Sequence, residues 1–250
     1  MYAASNFKNR AMEHDLKYFY CLILLCVLVS CGPPEFERNT RLHVKGQVVD
    51  QNGQAISDTE VGVFTETGYF VGFILVGSVG QDEYLLGHNS SNASGDFSVT
   101  SLFDQDEDFF IFLDGNDTYA NYIYATNTTN YTPGNYTLDI GTIELKKLAD
   151  VSINVSRTSP PGTEFNFSYL IQDPYCLETY VDGVLEPNQY QCYYPSYTQR
   201  ILNDEQPNYN QTHTSVLGAT VELTYSINNA PELTEFFTIT DENYEITLTY

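Results

Sequence analysis

From residue 41 to the end of the chain, short segments with alternating apolar and polar side chains are separated by clusters of Asn, Asp, Gly and Pro. The clusters recur about every ten residues, which is the spacing of turns in antiparallel sandwiches and barrels. The 21 Tyr and 15 Phe, with frequent Thr, Val and Ile, fit the half-buried face of a pleated sheet. Helical periodicity is almost absent after residue 30. The sequence therefore predicts an all-β chain that can bury a hydrophobic core.

Residues 41–147 contain the strand and turn signals of one β-domain. The segment 109–113 is a continuous apolar run, typical of a buried strand, and 138–145 alternates between apolar and polar residues. Near the start of this range, Asn52-Gly53 is a strong turn signal because both residue types tolerate positive φ. We expect one β-sandwich here.

Four short motifs in this range follow the order found in one known family. They are Gly-x-Val-x-Asp-x-x-Gly-x-x-Ile at 46–56, Val-x-Val at 61–63, Asn-x-Ser-Gly-x-Phe at 92–97 and Asp-x-Gly-x-Ile-x-Leu at 139–145. In this order they resemble the carboxypeptidase regulatory-like family. The resemblance implies a seven-stranded sandwich of transthyretin-like or Ig-like type over 41–147, which serves as an accessory module without catalytic residues.

Residues 148–250 repeat the alternation without resembling any family. We predict a second β-sandwich over this range, with the polar segment 203–214 as an exposed loop. The alternative is a single large β-domain over both ranges. The alternating runs are 151–155, 165–169, 221–227 and 244–250.

The first 31 residues have the organisation of a secretory signal. An apolar run at 18–29 follows basic residues and is too short for a membrane span, which needs roughly 20 apolar residues. The sequence Leu-Val-Ser-Cys at 28–31 then lies where cleavage is expected, and it resembles the lipobox of bacterial lipoproteins. The resemblance implies that Cys31 is lipidated and becomes the first residue of the mature chain. The alternative is an ordinary signal whose apolar run happens to contain cysteines.

We therefore predict a lipoprotein signal peptide over 1–30, starting from Met1 or Met12, and a tether over 31–40. By the sorting rule of well-studied lipoproteins, Gly32 after the lipidated cysteine implies the outer membrane. The rule leaves open whether the protein faces the periplasm or the cell surface.

The charge balance argues against two classes of partner. The chain has 33 Asp and Glu against 10 Lys and Arg, a formal net charge of −23 at pH 7. Nucleic-acid binding depends on neutralising phosphates with basic side chains, and docking on anionic lipid needs a basic patch. We expect no nucleic-acid partner, and we expect the lipid on Cys31 to be the membrane contact.

Two cysteines remain in the mature chain besides Cys31. Cys176 and Cys192 flank an Asp182-Gly183 turn, and in an exported chain this arrangement predicts a disulfide. Closing a loop of about 15 residues contributes roughly 3 kcal/mol by the chain-entropy relation. A strict two-residue turn would not set the cysteines opposite each other, so a bulge or longer loop is required, as Pro187 indicates. The alternative is two buried free thiols.

The densest acidic segment contains Asp104, Asp106 and Asp108. Alternating carboxylates in a loop can supply the oxygen ligands that Ca²⁺ prefers, so a weak calcium site is one hypothesis. The other is that these charges are solvated and keep the apolar run at 109–113 soluble. A second acidic group at 114–117 lies roughly 17 Å away at about 3.3 Å per strand residue, too far to share a site. No other cofactor is predicted.

Catalytic signals are weak. The mature chain has three histidines, His43, His88 and His213, without metal-ligand spacing, and no nucleophile or phosphate-binding motif. A Ser-His-Asp set could still assemble in space, because triads are not defined by sequence order. We predict that the protein is not an enzyme.

The predicted function is that of a membrane-anchored envelope lipoprotein. It would act as a non-catalytic binding or scaffold module in an outer-membrane or cell-surface complex, with other envelope proteins as partners. The alternative is a carbohydrate-binding surface lipoprotein that uses exposed tyrosines. Two tyrosine clusters suggest this alternative. For each cluster, ordinary packing in the core or on a sheet face is the competing interpretation. They are Tyr119, Tyr122, Tyr124, Tyr131 and Tyr136, and Tyr190, Tyr193, Tyr194 and Tyr197.

Overall fold

The computed structural model describes residues 36, 38–66, 83–103, 108–128 and 131–250. Strands joined by turns make up this part of the chain, with two single 3-10 turns at Gly134–Tyr136 and Pro187–Gln189 and no α-helix among the described residues. The all-β prediction is confirmed. The predicted signal peptide and Cys31 lie outside the described residues, so both stay predictions.

Seven strands form a first sandwich. They are β1 (Arg41–Asp50), β2 (Glu60–Glu66), β3 (Glu83–Ser90), β4 (Asp96–Leu102), β5 (Asp108–Asp114), β6 (Asn121–Asn127) and β7 (Thr137–Leu145). In sheet I the order is β4-β1-β7, with β7 parallel to β1. In sheet II, β3, β2, β5 and β6 lie side by side in that order. The predicted seven-stranded sandwich is confirmed.

Alternation places the first core between sheets I and II. Val44 and Val48 of β1 and Val61 and Val63 of β2 are completely buried. The predicted buried strand is β5, and its apolar run is continuous because both faces are covered. Residues on one face join the first core, while Phe110 on the other face joins a smaller cluster on sheet II.

The remaining ten strands follow from residue 148. They are β8 (Leu148–Ser156), β9 (Phe165–Gln172), β10 (Tyr175–Val181), β11 (Val184–Leu185), β12 (Gln191–Cys192), β13 (Pro195–Leu202), β14 (Tyr209–Val216), β15 (Thr220–Ile227), β16 (Leu233–Thr238) and β17 (Asn243–Thr249). Seven of them form a second sandwich. Sheet III has the order β13-β9-β15-β16, and sheet IV has the order β14-β8-β17. The exposed loop predicted at 203–214 is wrong for its second half, because β14 begins at Tyr209 and pairs with β8.

Strands β10, β11 and β12 leave the second sandwich between β9 and β13. We call 173–194 the excursion. Within it β10 pairs in parallel with β6, and β11 and β12 pair with β10, so sheet II gains three strands from the second half of the chain. The sequence did not predict this exchange.

The two sandwiches also meet where β7 runs into β8. Only Lys146 and Lys147 separate these strands. The Leu148 amide donates to the Thr118 carbonyl (2.8 Å), and the Lys147 amide donates to Oε1 of Gln51 (2.8 Å). The residues from Phe36 to Tyr250 form one compact unit. A division into separate domains at 41–147 and 148–250 stays a prediction.

In the described ranges, none of the helical segments has the length and apolar character needed to cross a membrane.

Two motif glycines give a stability test of the first sandwich. Both Gly53 and Gly95 have positive φ, but a Cβ at Gly95 would collide with the carbonyl oxygen of Val48, whereas one at Gly53 has no neighbour within 4 Å. We expect Gly53→Ala to cost about 1 kcal/mol from backbone strain alone. Gly95→Ala should cost at least about 2 kcal/mol, because the turn must also move.

Urea unfolding of both variants measures the difference. Equal destabilisation by the two substitutions would contradict the close contact between the turn at Gly95 and strand β1.

Candidate functional site

The excursion is held to the first sandwich by a carboxylate cluster, which we define as Glu178, Tyr122, Tyr124 and Tyr180. The register of β6 and β10 sets Glu178 opposite Tyr124. The hydroxyls of Tyr122 and Tyr180 both donate to Oε2 of Glu178, at 2.6 and 2.8 Å. The rings of Tyr124 and Tyr180 stack with their centroids 4.1 Å apart.

Burial strengthens the preference of these phenols for the protonated form. Burial, followed by the hydrogen bond to Glu178, raises the pKa of Tyr122 far above its ordinary value. The same two causes raise the pKa of Tyr180 to about 12. Both hydroxyls therefore keep their protons at neutral pH and act as donors to the carboxylate. The arrangement braces the excursion and offers no activated nucleophile.

The structure brings together the two cysteines predicted to pair. Cys176 of β10 lies opposite Cys192 of β12, with their sulfur atoms joined as a disulfide. The connection between them contains β11 and the 3-10 turn at Pro187–Gln189, which is the longer loop that the pairing requires. Formation of this bond in the exported protein stays a prediction.

The same cysteines lie close to Glu178. Among the described residues, one ligand atom from each of Cys176, Glu178 and Cys192 lies within 4.8 Å of the others. Thiolates are the metal-binding form of cysteine, and a disulfide removes them. We therefore assign no metal role to this group.

A second polar cluster lies inside the second sandwich. The Tyr169 hydroxyl, on a side chain that is 1% exposed, lies 2.6 Å from Nε2 of His213 and 2.7 Å from the Tyr209 hydroxyl. The Arg200 guanidinium lies over the Tyr209 ring, 5.9 Å from its centroid. No sequence signal distinguishes His213 from the other histidines, because the polar segment that contains it predicts a loop.

Burial and a nearby cation disfavour the charged form of His213. Burial lowers its pKa from the ordinary 6.5, Arg200 lowers it further, and Asp173 acts weakly in the opposite direction. Burial also raises the pKa of Tyr169, followed by its hydrogen bond to Tyr209. The cluster is a neutral hydrogen-bonded network between two sheets.

The other two histidines lie in the first sandwich. His43 of β1 has Nε2 3.4 Å from Oγ of Ser98 on β4, at an open depression of about 400 Å³ on the outer face of sheet I. The contact is long, and its serine lies on an exposed sheet surface. His88 lies on β3 in the other sheet. The geometry does not assemble a catalytic set from the described histidines.

The acidic residues predicted to bind calcium are only partly described. Asp104 and Asp106 lie outside the described residues. Asp108 begins β5, and its Oδ1 accepts a hydrogen bond from Nδ2 of Asn127 (2.6 Å). In the second acidic group, Oδ1 of Asp114 accepts from the amide of Asn116 (2.8 Å), a local turn contact. Calcium binding by Asp104, Asp106 and Asp108 stays a prediction.

The tyrosines of each cluster lie in more than one environment. In the first cluster, Tyr122 and Tyr124 are buried in the core, whereas Tyr136 is exposed. In the second, Tyr190, Tyr194 and Tyr197 are exposed. The fourth member of the second cluster, Tyr193, packs against both cores and lies under the ammonium group of Lys146.

Comparisons with known proteins add little. No protein-family model matches the chain, and no curated protein matches it. Matches to solved structures include a 9R-lipoxygenase from Cyanothece PCC8801, with a TM-score of 0.28 and 16% identity over 46% of this chain and 18% of that one. They also include a streptococcal ancillary pilin, with a TM-score of 0.30 and 14% identity over 85% of this chain and 63% of that one.

A shaft pilin, SpaA of Lactobacillus rhamnosus GG (D295N mutant), matches with a TM-score of 0.30 and 8% identity over 84% of this chain and 98% of the pilin. This chain thus spans less than two thirds of the lipoxygenase and of the ancillary pilin. TM-scores this low carry no argument about fold or function. The β-sandwich assignment rests on the strand pairing of this chain.

The carboxylate cluster predicts a difference between two tyrosine-to-phenylalanine variants. Tyr122→Phe removes a buried donor to Glu178 and should cost about 1–3 kcal/mol of unfolding free energy. Tyr225→Phe is the matched control, because the Tyr225 hydroxyl donates to Oε1 of Glu235 (2.7 Å) at an exposed site. The control should change the free energy by no more than about 0.5 kcal/mol. Denaturant unfolding measures both, and similar losses would contradict the bracing role.

His213 predicts a pH dependence of stability. Because its folded pKa lies below 6.5, the unfolded chain takes up more protons as pH falls below that value. The contribution of neutral His213 to stability is present above pH 6.5 and is lost as pH falls toward the folded pKa. Between pH 7.5 and 5.5 the native chain should therefore lose more stability than a His213→Gln variant. Parallel stability curves for the two proteins would contradict the burial of a neutral imidazole.

Proposed function

We propose that the protein is a membrane-anchored envelope lipoprotein that acts as a non-catalytic binding or scaffold module. The observation that carries this proposal is the exchange of strands between the two sandwiches. Because β10 pairs with β6 and β7 runs directly into β8, partners would meet one continuous platform.

The polar side chains inside the platform are used in bracing. Glu178 accepts hydrogen bonds from two tyrosine hydroxyls. His213 belongs to a hydrogen-bond network with Tyr169 and Tyr209. An active site would instead present such groups in a concave pocket where substrate can reach them. Binding through exposed sheet faces fits this organisation better than catalysis in a cleft.

The first sandwich supports the resemblance to carboxypeptidase regulatory-like modules. Its described strands number seven, and the motif residues Gly53 and Gly95 lie at turns with positive φ. Membership of this family would imply an accessory role beside another envelope protein.

Because the chain is strongly acidic, we propose that only the lipid on Cys31 attaches it to the membrane. The formal net charge is −23, so anionic headgroups repel the folded part. A tether over 31–40 would extend at most about 35 Å at 3.3–3.6 Å per residue, which keeps the platform near the bilayer. We propose that the protein is anchored at the outer membrane, on either its periplasmic or its surface face.

A carbohydrate ligand is the second candidate. Three exposed tyrosines, Tyr190, Tyr194 and Tyr197, favour it, because an aromatic ring offers a flat apolar surface to a sugar.

The lipid anchor gives the decisive test. In a bacterial host, Cys31→Ser should abolish incorporation of labelled palmitate and move the protein from the membrane fraction to the soluble fraction. Cys26→Ser, another cysteine change in the same leader, is the matched control and should leave both unchanged. Retention of the Cys31→Ser variant in washed membranes would overturn the lipid-anchor proposal.

A further inference from the structure

The outer face of sheet III points away from the second core. The registers of its ladders set Tyr197 of β13, Leu170 of β9, Glu222 of β15 and Phe236 of β16 in one row across four strands. Tyr197 and Phe236, at the two ends of the row, are 61% and 67% exposed. Three strand intervals of about 4.8 Å separate these ends by roughly 14 Å.

A second row lies two residues along each strand. It contains Gln199, Ser168, Thr224 and Thr234 in the same strand order. All four side chains carry hydrogen-bonding groups and none is charged. The hydroxyls of Thr224 and Thr234 lie 2.9 Å apart on adjacent strands, so they form a continuous polar surface beside the aromatic row.

Charge distinguishes this face from the chain as a whole. The two rows contain one charged side chain, the half-buried Glu222, in a chain with a formal net charge of −23. A cationic partner would be drawn to the acidic surfaces elsewhere, and an anionic polymer would be repelled by the overall field. A face with aromatic ends and neutral polar groups matches a neutral ligand.

We propose that the outer face of sheet III binds a neutral polysaccharide. The rings of Tyr197 and Phe236 stack on two sugar rings of one extended polysaccharide chain. The polar side chains of the second row form hydrogen bonds with the hydroxyls of the sugars. A small ligand would need a concave pocket, whereas an extended polymer can lie along an open sheet face. The inference rests on the proposed binding function and names its ligand class.

Affinity electrophoresis of the full-length protein tests the proposal. The protein is solubilised in a polyoxyethylene detergent, which has no sugar headgroup, and run through gels that contain hydroxyethyl cellulose, galactomannan or soluble starch. We expect retardation by at least one of these neutral polymers and none by the anionic polymer alginate. Tyr197→Ala and Phe236→Ala should each weaken binding by about tenfold, the effect of truncating an aromatic anchor.

Tyr84→Ala is the matched control, because Tyr84 is 42% exposed on β3 of the first sandwich. It should bind as the unchanged protein does. Absence of retardation by all three neutral polymers, or unchanged binding by both sheet III variants, would overturn the proposal.

A concentration-dependent dimer that Phe236→Ala abolishes, measured by sedimentation, would assign this face to a second copy and would also overturn the proposal. The membrane test with Cys31→Ser is independent of these results, so failure of the ligand assignment and failure of the anchored function can be told apart.

Discussion

The parallel pairing of β10 with β6 is the interaction on which the described structure depends most. Without it, β6 would leave an open row of backbone donors and acceptors at the edge of sheet II. The excursion covers that edge and returns to its starting point, where the Asp173 amide donates to the Tyr194 carbonyl (3.0 Å). The ends of β9 and β13 are thereby fixed, which ties the geometry of sheet III to the first sandwich.

The carboxylate cluster explains how this pairing tolerates an acidic side chain. A half-buried carboxylate needs donors in place of the water it loses, and the hydroxyls of Tyr122 and Tyr180 supply two of them. The predicted disulfide between Cys176 and Cys192 would add a covalent link between β10 and β12. The three short strands of the excursion thus combine hydrogen bonds, ring stacking and paired cysteines.

Local patterns predicted the strands well and the exchange between sandwiches not at all. Turn clusters and period-2 alternation are visible in short windows, so β5, β7 and the turn at Gly53 could be predicted from the sequence. The partner of β10 could not, because its pairing with β6 joins residues more than 50 positions apart and leaves no local signal. Strand β14 was missed because its outward residues are polar and its inward His213 and Tyr209 are polar too.

By itself, the sequence determined that this chain is all-β and which residues could carry a lipid or a disulfide. These follow from composition, alternation and short motifs, which need no knowledge of distant contacts. Tertiary structure decided which tyrosines brace the core and which face solvent, since one sequence cluster contains both the buried Tyr122 and the exposed Tyr136. It also decided that Tyr197 and Phe236 share one row, because only strand order and register bring β13 and β16 into the same sheet.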